Sequence, residues 1–248
     1  MIVFENVTKR FDSMVAIDDL SCHFERGRTH VLLGSSGCGK STILRLILGL
    51  VAPDAGSVAV DGRTMGAETR ADLVARMGYV VQEGGLFPHL TVHRNVALAA
   101  EARGWSQERI SGRVRHLVEM VGFDDRIVLK YPNQLSGGQR QRVCLMRSLM
   151  LDPPILLLDE PLGSLDPLVR DGLQRQLREI FRELQKTVVL VTHDIREAAI
   201  LGQTITLMTE GQIVQHGTFL DLSQRPASEF VSTFLQAQKP PPNMKGYL

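Results

Sequence analysis

The chain has 248 residues, 44% of them apolar and 22% charged, the proportions of a globular protein able to bury a sizeable core. Lys and Arg number 28 against 27 Asp and Glu, a net charge of +1, so no general basic field recruits nucleic acid or anionic lipid and any anion binding must be local. Three scattered cysteines (Cys22, Cys38 and Cys144) fit a reducing cytoplasm and no disulfide framework, and no apolar run approaches the roughly 18 residues of a membrane span. The opening MIVFENVTKRF lacks the basic-then-apolar pattern of a secretory signal, so a peripheral subunit is expected if the protein works at a membrane.

In chain order, IVFENV and LSCHF are short runs broken by turn residues, and GSVAVDG follows after an interval; together they predict a small antiparallel layer. HVLLG (30–34), PILLLDE (154–160) and TVVLVTH (187–193) are instead continuous apolar runs. Runs without alternation fit strands buried on both faces, as in a parallel sheet. From about Gly85 to Leu149 the pattern is helical and reads as an inserted lobe. DPLVRDGLQRQLREIFRELQ then predicts a helix, with Asp166 as cap, Pro167 at the first position, and Leu173, Leu177, Ile180 and Leu184 as its apolar stripe. Residues 1–236 are expected to form one domain, and 237–248, which include KPPPN, a disordered tail.

Between a predicted strand and a predicted helix lies GSSGCGKST, Gly34–Thr42, the G-x-x-x-x-G-K-[ST] phosphate loop. The backbone of Gly34, Ser35, Ser36, Gly37, Cys38 and Gly39 can curl so that N–H groups face a phosphate, and the helix start at Lys40, Ser41 and Thr42 adds favourable partial charge. Lys40 is expected to reach the β- and γ-phosphates of ATP, and the Ser41 hydroxyl to ligate Mg²⁺. ILLLDE supplies the matching acidic strand end: Asp159 to hold Mg²⁺ through water, Glu160 to orient or deprotonate the attacking water. Cys38 lies inside the loop, so its alkylation is expected to block nucleotide binding. The remaining histidines, His23, His30, His89, His93, His116 and His216, show no metal-ligand spacing.

Phe11 before the loop, Gln82 ending GYVVQ, LSGGQRQRV at 135–143, ILLLDEP, GSLD and VTHD occur in that order. This constellation resembles the ATP-binding cassette (ABC) ATPase family over nearly the whole chain. The resemblance implies an α/β fold: a P-loop NTPase (RecA-like) core with a small antiparallel β layer and an inserted helical lobe. It further implies that Phe11 stacks on adenine, Gln82 contacts Mg²⁺ or the attacking water, and His193 holds the γ-phosphate. Ser136, Gly137, Gly138 and Gln139 of one subunit, with Asp166, would cover the ATP of the other in a homodimer.

A separate ATPase chain of this kind resembles importer subunits, which dock on a membrane permease from the cytoplasmic face and act with a substrate-binding protein. The docking region is expected near Gln82–Val92, with Phe87, Leu90 and Val92 either lining a groove for a partner helix or filling the lobe's own core. GGLFPHLTVHRNVAL, YPNQLSGGQRQRV and VTHDIREA look like the osmoprotectant group, which takes up glycine betaine, choline, carnitine or proline. Importers of polyamines, amino acids and inorganic anions share much of this wording. The chain stops soon after SEFVSTFLQAQ, so ionic-strength sensing in this subunit is not expected. Two other classes stay open: a soluble ATP-dependent regulator, and a phosphotransferase using the same loop.

Overall fold

The computed structural model describes residues 1–82, 85–163 and 165–238. The chain opens with strands β1 (Ile2–Phe11), β2 (Met14–Phe24) and β3 (Thr29–Gly34), then helix α1 (Lys40–Ile47) and strands β4 (Ala55–Val60) and β5 (Arg63–Thr64). Helix α2 (Arg70–Val74) and strand β6 (Met77–Val80) lead into the lobe, built on α3 (Val92–Ala102), α4 (Gln107–Met120) and α5 (Gly137–Leu149). Then come β7 (Ile155–Asp159), α6 (Pro167–Leu184), β8 (Thr187–Thr192) and α7 (Ile195–Leu201). Strands β9 (Thr204–Thr209) and β10 (Gln212–Gly217) and helices α8 (Phe219–Gln224) and α9 (Glu229–Ala237) complete the described chain.

Two sheets organise these elements. The expected antiparallel layer has the order β2-β1-β4-β5, and the main sheet has the order β10-β9-β3-β8-β7-β6. From β9 to β6 the main sheet is parallel, with β10 antiparallel at one edge. The apolar runs are continuous because both faces are covered. Leu32, Ile155, Leu157, Val189 and Val191 join a core with α1 and the antiparallel layer, while Val31, Leu33, Leu156, Leu158, Val188 and Leu190 join the opposite core. Alternate residues of each strand thus feed different cores, as the period-2 geometry of a strand requires. The lobe has no separate core: Val96, Ile110, Leu117 and Met146 belong to the same cluster as Leu173, Leu177 and Ile180 of α6.

The structure changes the expected tail boundary and decides between the alternatives left open at Val92. Helix α9 runs to Ala237, and Gln238 Oε1 accepts a hydrogen bond from Ile195 N at 2.7 Å, so the first two residues of the expected tail are anchored; 239–248 lie outside the described residues. Val92 is fully buried at the start of α3 and belongs to the core, not to a groove. Phe87 remains 42% exposed and Leu90 half-buried, while Glu83 and Gly84 lie outside the described residues.

A buried amide shapes the 87–91 loop. Asn95 is fully buried; its Oδ1 accepts from Phe87 N at 2.8 Å, and its Nδ2 donates to the carbonyls of Phe87 at 3.0 Å, Leu90 at 2.9 Å and Thr91 at 3.1 Å. One side chain therefore satisfies the backbone of a turn that forms no ladder of its own. Asn95→Ala would leave Phe87 N and the Leu90 carbonyl without that partner, each at about 1–3 kcal/mol, while the carbonyls of Phe87 and Thr91 keep the bonds they accept from Leu90 N and Asn95 N. A loss of about 2–4 kcal/mol is expected in urea unfolding, with faster amide exchange confined to the 87–91 turn.

Candidate active site

The functional side chains stand at the carboxyl ends of neighbouring parallel strands. The phosphate loop follows β3, Gln82 follows β6, Glu160 follows β7 and His193 follows β8. That edge is where open α/β sheets bind ligands, because loops of unrelated sequence converge there. A cleft of about 480 Å³ opens on it, lined by Phe11, Met14, Ala16, Ser36, Gly37, Gly39, Lys40, Ser41, Thr42, Arg45, Gln82 and Glu160.

The loop's shape depends on Gly39, the cap of α1. It has φ +104°, and a Cβ there would meet the Ala16 carbonyl oxygen at 2.4 Å. Lys40, 4% exposed, donates from Nζ to the carbonyls of Gly34 at 2.9 Å and Ser35 at 2.7 Å, and lies 3.6 Å from Cys38 Sγ. The ammonium is thus held inside the loop by neutral acceptors, available to an incoming anion. Helix α1 has no acidic residue in its first turn, so its N-terminal partial charge is uncompensated. Cys38 is itself buried, which places the thiol within the packed loop; a reagent reaches it only when the loop opens.

Beside the loop, Ser41 Oγ donates to Asp159 Oδ1 at 2.9 Å. Burial pushes the Asp159 carboxyl above its ordinary value; the Ser41 hydrogen bond opposes this, and the charge of Glu160 adds to it. Tyr79 hydrogen-bonds the same carboxylate, and burial with the nearby Asp159 charge pushes its phenol up to about 12, so it stays an O–H donor. Ser41 and Asp159 form an oxygen-only pair that suits a hard divalent cation. No cluster of three or more metal-binding His, Cys, Asp or Glu side chains occurs among the described residues, so phosphate and water oxygens would have to complete any coordination shell.

Glu160 is the convergence point. Gln82 Nε2 donates to its Oε2 at 3.3 Å, and His193 Nδ1 lies 3.3 Å from that same oxygen. Its backbone is left-handed, φ +44°, and its N–H donates to the Val191 carbonyl of β8 at 3.0 Å. A non-glycine residue held there is strained and must be secured by its surroundings, as residues at reactive positions often are. Phe11 is half-buried on the β1–β2 turn, opposite Met14, and both border the cleft.

The second phosphate-loop-like stretch is elsewhere. Ser136 is exposed and caps α5: its Oγ accepts from Gln139 N at 3.2 Å, and Gln139 Oε1 accepts from Ser136 N at 3.0 Å. Gly137 adjoins Leu165: a Cβ on Gly137 would meet Leu165 Cδ2 at 3.0 Å. Gly138 is buried, Asp166 is exposed, and neither they nor Ser136, Gly137 or Gln139 lines the cleft. Sequence reasoning missed Met14, Arg45 and Tyr79: Tyr79 lies in GYVVQ, where only Gln82 was given a role, and Met14 and Arg45 are signalled only by closeness in space.

A model of the ABC transporter family matches residues 17–163. The chain belongs to the ABC transporter family. This ABC cassette is 44% identical to the glycine betaine uptake system ATP-binding protein YehX of Escherichia coli, over 94% of the chain and 76% of that protein. It is 41% identical to the osmoprotectant import ATP-binding protein OsmV of Salmonella typhimurium, over 95% of the chain but 63%, less than two thirds, of OsmV. The sulfate/thiosulfate import ATP-binding protein CysA of Gloeobacter violaceus is 43% identical over 98% of the chain and 70% of its own length. Among solved structures, the dimeric post-hydrolysis state of the ATP-binding cassette MJ0796 bound to ADP and Pi superposes with a TM-score of 0.78 at 31% identity, covering 88% of this chain and 98% of that one. The cassette is therefore an ABC ATPase, with a P-loop NTPase fold.

The raised carboxyl of Asp159 has a testable sign. A charge disfavoured by burial costs stability above the unfolded value of 3.8, fully so once pH exceeds the raised folded value, and nothing below 3.8. Asp159→Asn is expected to raise the unfolding midpoint of the nucleotide-free ABC cassette at pH 7 by roughly 2–4 °C for about 1 kcal/mol. The difference should vanish below about pH 4. Calorimetry across pH checks the sign, and stabilisation by Mg²⁺ with ATP should be lost in the same variant.

Proposed function

We propose that this ABC ATPase is the ATP-hydrolysing subunit of an importer, peripheral on the cytoplasmic face of the membrane, working as a homodimer on a separate permease. The observation that carries the reading is the pair of phosphate-type helix starts on one chain. One lines a cleft; the other, at Ser136, is exposed and lies outside that lining. Neither α1 nor α5 carries an acidic residue in its first turn, so both suit an anion. A second copy supplies the anion for the exposed one: Ser136, Gly137, Gly138 and Gln139 cover ATP bound at Gly34–Thr42 of the partner, with Asp166 beside it.

Phe11 and Met14 offer an apolar platform for adenine, and Lys40 with the loop N–H groups holds the phosphates. Mg²⁺, held through Ser41 and Asp159 with Gln82 nearby, would neutralise charge on the β- and γ-oxygens. Glu160 accepts a proton from the attacking water as the new P–O bond forms and the bond to the β,γ-bridging oxygen breaks, giving ADP and phosphate. His193 and Gln82, both on Glu160 Oε2, orient that carboxylate and the water. The exposed Phe87, with Leu129 and Tyr131, offers apolar surface to the permease; Val92 N donates to the Lys130 carbonyl at 2.8 Å, which joins the two segments.

For cargo we favour quaternary-amine osmoprotectants, supported by the likeness to YehX and OsmV; a substrate-binding protein would deliver them. Likeness to CysA at similar identity supports a second reading, an inorganic anion. Uptake of labelled glycine betaine and sulfate in cells lacking the gene, with and without the restored chain, separates them. Restored glycine betaine uptake alone is expected, and sulfate uptake alone overturns the cargo assignment.

Glu160→Gln is expected to bind ATP as wild type does, to release phosphate about 100-fold or more slowly, and to elute as an ATP-dependent dimer. Phosphate release at the wild-type rate would remove the base assignment, and a monomer with ATP bound would remove the shared site.

A further inference from the structure

Arg170, in the first turn of α6, touches no cleft residue but bridges the two loops that flank the reacting end of the site. Its Nη2 donates to the Leu165 carbonyl at 3.0 Å and reaches that of Gly163 at 3.5 Å, and its backbone N–H donates to the Asp166 carbonyl at 2.9 Å. Its Nη1 meets Asp194 Oδ2 at 3.4 Å. Asp194 directly follows His193, and both its ends are tied. Asp194 Oδ1 accepts from Arg196 N at 2.7 Å, and its own N–H donates to Thr192 Oγ1 at 3.0 Å. Thr192 Oγ1 donates in turn to the buried Glu197 Oε2 at 2.6 Å. His193 therefore sits between two residues locked into one polar network, whose cation among the described residues is Arg170.

We propose that Arg170 is a positioning residue for ATP hydrolysis: by tying the backbone of Gly163, Leu165 and Asp166 to Asp194, it holds His193 against Glu160 Oε2. The planar fork is what allows this. One guanidinium spans two carbonyls on one side and a carboxylate on the other, a geometry a lysine ammonium cannot reproduce. Without it, Asp194 faces the neighbouring Glu197 carboxyl with no opposing charge, the 192–194 turn relaxes, and His193 leaves the 3.3 Å contact with Glu160. Because Leu165 also adjoins Gly137, the same bridge links the start of α5 to the histidine. The buried Arg170 Nε has no acceptor among the described residues, so the fork is not saturated and can take a new partner if that backbone shifts.

The inference rests on hydrolysis through Glu160 and His193, and its test is read against that reading. Phosphate release and ATP affinity are measured on the full chain, affinity with EDTA present to stop turnover. Arg170→Met is expected to lower kcat about tenfold, about 1.4 kcal/mol of transition-state stabilisation, while ATP affinity stays within about twofold because the phosphate loop is untouched. Arg170→Lys should recover part of the rate, and in a His193→Ala background Arg170→Met should cost nothing further. An unchanged kcat, or a full additional loss in the His193→Ala background, overturns the proposal. So does joint loss of ATP affinity and thermal stability in Arg170→Met, Arg170→Lys and Asp194→Asn, which marks a purely structural role. Slow turnover in Glu160→Gln with normal turnover in Arg170→Met rejects this inference alone; normal turnover in Glu160→Gln rejects the site reading beneath it.

Discussion

The parallel register of β6, β7, β3 and β8 is the constraint on which the rest depends. Val80 lies opposite Leu158, Asp159 opposite Val191, and Leu33 opposite Thr192, so the four strands end within side-chain reach of one another. Each end carries one polar group of different kind: a loop of N–H groups, an amide, a carboxylate and an imidazole. The register is fixed by apolar packing on both faces; a slip of one residue would exchange the two cores and break both. The site's precision is thus a by-product of hydrophobic burial several residues away from it.

Polar groups at that edge are held in a state that favours a charged ligand. Lys40 is held by neutral groups, two carbonyls and the Cys38 sulfur, and Asp159 is raised by burial against the pull of Ser41. In the free protein these groups are under-neutralised, which costs stability; a polyphosphate with a divalent cation offsets both at once. Glu160 adds backbone strain at the point where proton transfer is proposed. The same logic applies at Ser136, where the capping box satisfies two end groups of α5 and leaves the N–H groups of Gly137 and Gly138 without a partner inside the helix. The dimer proposed around nucleotide would complete both of these half-satisfied anion sites at once.

Legibility followed chemistry and periodicity. The strands β3, β7 and β8 were readable because a short, continuous apolar run between turn residues has to be covered on both faces, and the phosphate loop because its spacing is tied to backbone geometry. Strand β9 was not readable: TITLMT interrupts its apolar run with Thr206, whose hydroxyl bonds His216 across the sheet edge, a partner no local pattern shows. Val92 looked like a candidate for partner contact in sequence, yet packing puts it in the core while Phe87, five residues earlier, stays exposed. Asn95, Tyr79 and Arg170 lie in quoted stretches that gave them no role of their own; each matters through partners that folding brings to it.

The sequence by itself determined the chemistry: the phosphate loop, the acidic strand end, the second helix start and the order in which they occur. Those features are local, set by residue type and spacing over a few positions. Tertiary structure alone decided which groups meet: that Gln82 and His193 share one oxygen of Glu160, that Ser41 and Tyr79 share Asp159, and that the second helix start lies outside the lining of the cleft. Such pairings join strands far apart in the chain, 78 residues in the case of Gln82 and Glu160, and their geometry comes from the sheet register, which is a property of the packed core and of no single segment.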